Sequence, residues 1–269
     1  MFEPVYFVQI SDTHIGPSPG FARHGHVALP CAQRLVDIIN RLPHKPDFVI
    51  HTGDVVNNPD RDAYQLAAET FAGLHVPVYY VNGNHDQADM IHKYMRMGPK
   101  TDLIATREEL VYGFEVKGHQ FVVLDSRAVD EIDPRGTISE EQVGIVRKAV
   151  EKAKETDGSL TVFIHHPVLR MNSVWMDAYM LLMNGEVLHR ALLPAENRLR
   201  GVFLGHVHQN MQTVRDGVMY VSVASAFSQF SAWPGDNQIR HDPYHLPGYN
   251  FVHLLKEQTV VHQHSFMRP

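Results

Sequence analysis

Residues 78–86 read VYYVNGNHD, an apolar run that stops abruptly at Asn82-Gly83-Asn84-His85-Asp86. The run predicts a buried strand, and Gly83 lets the chain turn sharply at its end. Asn84, His85 and Asp86 follow at once, each with metal, phosphate or proton chemistry. A turn alone does not require all three together. Four other apolar stretches finish the same way. Residues 5–10 lead into Ser11-Asp12-Thr13-His14, and residues 48–50 into His51-Thr52-Gly53-Asp54. Residues 160–164 lead into His165-His166-Pro167, and residues 201–204 into Gly205-His206-Val207-His208. Ligand sites of layered α/β proteins gather at the carboxyl ends of strands, so five such endings predict one shared site.

Working outward, residues 30–42 and 60–74 carry apolar side chains at helical spacing and alternate with the first three strands. Strand–helix–strand repeats of this kind predict a parallel sheet. After residue 98 the pattern changes. Residues 112–116 and 120–124 around Lys117-Gly118 predict a hairpin, and Ser139 is a candidate N-cap for a helix over 139–153. Residues 211–215 with 218–223, and 249–255 with 259–265, predict two more hairpins. Residues 16–20 (GPSPG) form a loop leaving directly from Asp12 and His14, readable as plain surface or as a flap over the site, with His24 and His26 just beyond. Within 169–193, Trp175-Met176-Asp177 reads either as helix core or as a wall of the entrance. Residues 226–246 are irregular and rich in aromatics, Pro and His, and loops this long are uncommon unless functional. An early parallel half and a later antiparallel half predict two sheets face to face with helices outside, in one domain over 1–269.

The chain has 269 residues, 44% hydrophobic and 20% charged, ordinary for a soluble globular protein. Its net charge of -6 gives no global attraction for nucleic acid, so no nucleic-acid polymer is expected as partner. No apolar run approaches the ~20 residues that span a bilayer, so no membrane partner is expected. The opening MFEPVYFVQI lacks a basic segment and a cleavage site and reads as the first strand, not a signal peptide. Cys31 is the one cysteine, which makes a cytoplasmic location the default. Histidine, at 19 residues, is the outlier.

Asp12 and His14 are spaced i, i+2, as are His206 and His208, and in extended backbone such pairs point the same way. Asp54 has two oxygens and can bridge two cations. Asn84 offers an amide oxygen and His165 an imidazole. Mixed nitrogen and oxygen donors favour Mn, Fe, Co or Zn over Mg or Ca. The series D-x-H, G-D, G-N-H-D, H-x-P, G-H-x-H resembles the calcineurin-like metallophosphoesterase superfamily, over most of the chain and with all five motifs in order. The resemblance implies an αββα four-layer sandwich of two mixed sheets flanked by helices. It implies two divalent metal ions, one held by Asp12, His14, Asp54 and His208, the other by Asp54, Asn84, His165 and His206. In the H-x-P motif of the superfamily the ligand is the first residue, hence His165 rather than His166; Val168 stands where relatives often have a second proline. The resemblance gives His85 transition-state stabilisation or leaving-group protonation. Asp86 is read as orienting His85 or His14, or as a turn residue, and Asn57, Asn58 and His166 as groups behind the ligands.

Narrower features are Leu124-Asp125-Ser126, residues 136–149 (GTISEEQVGIVRKA), Trp175-Met176-Asp177-Ala178, Asn184-Gly185 and Pro247-Gly248-Tyr249. They resemble the bacterial branch of class III cyclic-nucleotide phosphodiesterases and glycerophosphodiesterases. That branch implies a small phosphodiester as substrate and attack on phosphorus by a metal-activated hydroxide. It also implies a homo-oligomer, with 169–193 and 226–269 as cap or contact elements. A phosphomonoesterase or nucleotidase of the same fold, and a non-catalytic metal-binding scaffold, are the rival readings.

Overall fold

The computed structural model describes residues 3–128 and 134–269, so Met1 and Phe2 of the opening segment lie outside the described residues. Two large sheets carry the chain. The first has five strands in the order Thr259–Ser265, Gly248–Leu254, Val5–Ile10, Phe48–His51, Val78–Tyr80. Its last three strands are parallel, and Gly248–Leu254 runs antiparallel to Val5–Ile10. The second has seven, in the order Gln212–Arg215, Val218–Ser222, Leu199–Leu204, Ser159–Phe163, His119–Val123, Tyr112–Val116, Thr101–Asp102. Its central strands are parallel and its outer pairs antiparallel.

Alternation along the strands decides which side chain faces which layer. Phe121 and Val123 join the core between the sheets, whereas Val122 and Leu124 point into the outer core. At the middle, Phe7 stacks on Phe48 with centroids 5.1 Å apart and meets Phe163 and Phe203 edge-on at 5.6 and 5.1 Å. Each fully buried phenylalanine of this kind contributes roughly 1.5–3 kcal/mol. Outside the first sheet pack α1 (Ala28–Asn40), α2 (Arg61–Phe71) and α3 (Ala88–Tyr94). Outside the second pack α4 (Glu140–Glu155), α5 (Val174–Tyr179) and α6 (Gly185–Leu192). The result is the four-layer αββα sandwich.

Local chemistry sets the helix starts. The Ser139 hydroxyl accepts the Gln142 N–H at the head of α4, and the Asp60 carboxylate accepts those of Asp62 and Ala63 at the head of α2. Helix α1 begins at Ala28, two residues before Pro30, because a proline in the first turn lacks only an N–H that would have no helical partner. Among the described residues, no helix is long and apolar enough to cross a membrane.

Parallel register brings the strand ends together, with Ile10 opposite His51 and His51 opposite Tyr80. The sheets are stitched to each other at this same end. Gln9 Nε2 donates to the Leu204 carbonyl at 2.9 Å, and Ala226 N to the Ser11 carbonyl at 3.1 Å.

The structure decides two open readings. Residues 226–246 are not a plain surface loop: Gln229–Phe230 pairs with His241–Asp242, and Phe230 is buried. Trp175 does not line the entrance. It is 1% exposed, and its Nε1 donates to the Ser231 carbonyl at 3.2 Å while its backbone N–H donates to the Asp236 carbonyl at 3.0 Å. An indole whose N–H finds a buried partner is a brace, and here it pins the 226–246 segment to α5.

Candidate metal centre

Asp12, His14, Asp54 and His208 are all buried, and one ligand atom from each falls within 4.8 Å of the others; His165, His166 and His206 form a second such group. Asp54 joins them. Its Oδ2 lies 3.5 Å from His14 Nε2, and its Oδ1 lies 3.4 Å from His165 Nε2. Asp12 Oδ1 is 3.4 Å from His208 Nε2, and His14 Nε2 is 3.1 Å from His208 Nε2. On the other side His165 Nε2 is 3.1 Å from His206 Nδ1 and 3.3 Å from Asn84 Oδ1.

On two of the histidines the ring nitrogen turned away from this centre has a carbonyl partner. His165 Nδ1 donates to Thr52 O at 2.7 Å, and His208 Nδ1 to Ser228 O at 2.9 Å. A carbonyl only accepts, so each Nδ1 carries a proton and Nε2 faces inward, its lone pair open to a cation once any proton there is shed, the arrangement typical of metal-binding histidines. Carboxylate and imidazole donors converging this closely could hold a cation between them. The donor set therefore fits a two-metal centre.

Backbone strain marks the same residues. Asp12, His14, Asp54, His206 and His208 all have positive φ, between 43° and 70°. Left-handed backbone is uncommon for residues other than glycine, Asp and His being among those that tolerate it best, and clusters of it occur at functional sites. This corrects the reason for convergence. The i, i+2 pairs do not share a face of extended backbone; each ligand is turned inward by its own left-handed twist. Close approach completes the turn: a Cβ on Gly83 would lie 2.2 Å from the Asp54 amide nitrogen, and one on Gly53 2.3 Å from His165 Nδ1.

Behind the ligands, Asp86 accepts the backbone N–H groups of Val55, Val56 and Gly83, each at 3.1 Å. It therefore ties the Asp54 turn to the Asn84 turn, which is the turn reading, rather than orienting His85 or His14. Burial and the neighbouring Asp54 push its pKa up to about 7. His85 sits edge-on to His14 with centroids 4.7 Å apart. Its Nδ1 donates to Asn57 O at 2.6 Å, and its backbone N–H donates to Asp54 Oδ1 at 2.9 Å. His166 Nδ1 pairs with the Ser126 hydroxyl at 2.7 Å. Asn58 Oδ1 accepts from Asn57 Nδ2 at 3.0 Å at the surface. Trp175 meets the site only through Phe230, which stacks on His208 with centroids 4.4 Å apart.

Burial would raise the pKa of Asp54, but His165, His85 and His14 outweigh it and hold the carboxyl well below its usual range. Burial would lower His165, but Asp54 outweighs it and raises the imidazole to about 9. Burial pulls His14 and His206 well below the ordinary value, which keeps their lone pairs free.

Sequence reading missed Arg23, on the short hairpin Ala22–Arg23/His26–Val27, although the flap and its histidines were visible. Its Nη1 lies 2.6 Å from Asn57 Oδ1 and 3.1 Å from His14 Nδ1. It also missed the contacts of Ser228 and Phe230 with His208, because no local pattern marks a carbonyl or a ring brought in from twenty residues away.

The profile of the calcineurin-like phosphoesterase family matches residues 5–210. The 3',5'-cyclic adenosine monophosphate phosphodiesterase CpdA of Pseudomonas aeruginosa is 29% identical over 250 residues, 93% of this chain and 85% of its own length. The protein named "Probable glycerophosphodiester phosphodiesterase GpdQ" of Arcobacter nitrofigilis is 31% identical over 223 residues, 82% of this chain and 78% of its own. A dimetal phosphatase from Danio rerio, known from a crystal structure, aligns with a TM-score of 0.72 over 97% of this chain and 96% of that one. At 16% identity that likeness speaks to the fold alone.

Proposed function

The chain belongs to the calcineurin-like phosphoesterase family, and from that premise we propose that it is a dinuclear metal-dependent phosphodiesterase acting on small phosphodiesters, cyclic nucleotides or glycerophosphodiesters. The observation that carries the reading is Asp54, whose two oxygens face two separate groups of imidazoles. In this reading Asp12, His14, Asp54 and His208 hold one ion, and Asp54, Asn84, His165 and His206 the other. His165 is preferred to His166 because it faces Asp54, whereas His166 is paired with Ser126. The ions are Mn, Fe, Zn or Co, as the mixed donors suit.

When bound, a pair of divalent cations acidifies a water molecule and offsets charge on the phosphate. Four positive charges less the two of Asp12 and Asp54 leave about two, suited to an anionic diester and its attacking oxygen. The protein residues do the rest. Strained turns hold the ligands in place before substrate arrives, so little reorganisation accompanies the reaction. With Nδ1 committed to Asn57 O, His85 presents Nε2 to the substrate and, when protonated there, gives that proton to the departing alkoxide. Asp86 keeps the Asp54 and Asn84 turns in register.

We read 1–269 as one domain that forms a homo-oligomer, with 169–193 and 226–269 as cap or contact elements, acting in the cytoplasm. Light scattering tests the assembly. The activity is tested by a substrate panel across added metals: cyclic nucleotides, glycerophosphodiesters, bis(p-nitrophenyl) phosphate and p-nitrophenyl phosphate. Faster turnover of diesters supports the reading, and faster turnover of the monoester contradicts it.

A further inference from the structure

Metal-binding histidines ordinarily turn their second nitrogen to an acceptor. His165 and His208 do so, but His14 does not: its Nδ1 faces a guanidinium nitrogen of Arg23 at 3.1 Å. With Nε2 on a cation, Nδ1 carries the proton, and two donors then face each other. That contact holds nothing in the loaded centre. Arg23 is fixed by its other partners. Nε donates to His24 Nε2 at 2.8 Å, and Nη1 donates to Asn57 Oδ1 at 2.6 Å. His24 in turn stacks on His241 with centroids 3.7 Å apart, and His241 packs on Phe230, so the hairpin is braced against the 226–246 segment. Asn57 holds His85 with its backbone oxygen and Arg23 with its side chain, setting both beside His14. Three of the five guanidinium N–H groups are left without an acceptor in the loaded state. Arg23 is half-buried, and Asp54 and Asp12 support its charge against desolvation, so it belongs to the field of the centre. A partly dry guanidinium with open donors, at the edge of the centre, has the charge and geometry to take a phosphate oxygen.

We propose that Arg23 is a substrate-binding residue that grips a phosphate oxygen of the diester at the Asp12, His14 and His208 end of the centre, a proposal that rests on the phosphodiesterase reading above. It adds a fixed positive charge where the metals add theirs, and it acts on binding and on the transition state alike.

The test compares metal-loaded wild type with Arg23→Ala. Inorganic phosphate is titrated calorimetrically, bound metal is measured, and hydrolysis of bis(p-nitrophenyl) phosphate is resolved into kcat and KM. Arg23 lies outside the hydrophobic cores, and Arg23→Lys serves as the conservative control. The expected result is about tenfold weaker phosphate binding, and kcat/KM lowered by roughly ten- to a hundredfold, at unchanged metal content. Arg23→Lys should fall between, and added guanidinium chloride at millimolar concentration should restore part of the Arg23→Ala activity. Equal phosphate affinity in wild type and Arg23→Ala overturns the proposal. Loss of metal from Arg23→Ala overturns it too, since Arg23 would then be a prop for His14. A wild type that binds phosphate through Arg23 yet cleaves no diester leaves this proposal standing and removes the functional reading beneath it.

Discussion

The two ends of the centre are built from different charge. The end formed by Asp12, His14, Asp54 and His208 holds two carboxylates, whereas the group His165, His166 and His206 holds none and leans on Asp54 and the neutral Asn84. Burial is nearly the same, with all seven clustered side chains inaccessible. The difference is therefore electrostatic. Removing a divalent ion from two carboxylates in a buried site costs more than removing it from one shared carboxylate, imidazoles and an amide. The first end should keep its ion when the second loses it, and Asp54 should be the one side chain on which both depend.

The largest effect should come from breaking both ends at once. Asp54→Asn removes the shared charge and should lower diester hydrolysis by about a thousandfold or more, with metal content falling at both ends. His165→Ala should sharpen the contrast. Bound metal drops from two ions to one per chain and activity falls by roughly a hundredfold, whereas Asp12→Ala should lose the ion held more tightly in the wild type. Metal analysis after gel filtration checks both.

Acidity separates the ends more gently. His165 is raised to about 9 by Asp54 in the metal-free protein, and it must shed a proton to bind an ion. Its folded pKa lies above the ordinary value, so the stability from the His165–Asp54 pair is present at low pH and lost as pH rises through about 9. Metal binding runs the other way: affinity at this end should climb about tenfold per pH unit up to that value. Calorimetric metal titration over pH 6 to 9 should give this slope, and a flat response would contradict it. The smallest effect should come from a change that touches neither end. Trp175→Phe loses the bond to Ser231 O and should lower stability by about 1 kcal/mol, with both ions retained. Thermal melting of the loaded protein measures it.

The clustered Asp and His side chains were legible because each follows an apolar strand, and strand ends converge whatever the loops do. The sandwich was legible for the same reason, since period-two alternation and the change from parallel to hairpin pairing are local. The backbone conformation was not. Asp12 and His14 look like an extended i, i+2 pair, but both have positive φ and are tied to a turn about 40 residues away, Asp12 N donating to Gly53 O and His14 N to Asp54 O. Asp86 stayed open between a turn residue and a partner of His85 or His14 because its partners are backbone N–H groups, which no side-chain motif announces. Trp175 stayed open between wall and core because an aromatic on a short helix is equally at home in either, and only the approach of residues 230–236 decides. Arg23 lay in plain view between two histidines, yet nothing in FARHGH says that the hairpin folds back onto His14.

The most direct test is anomalous diffraction from crystals grown with saturating manganese. Two peaks about 3.5–4 Å apart, each within bonding distance of a different Asp54 oxygen, are the predicted result. A single peak at full occupancy, or two peaks with Asp54 touching just one of them, would contradict the account.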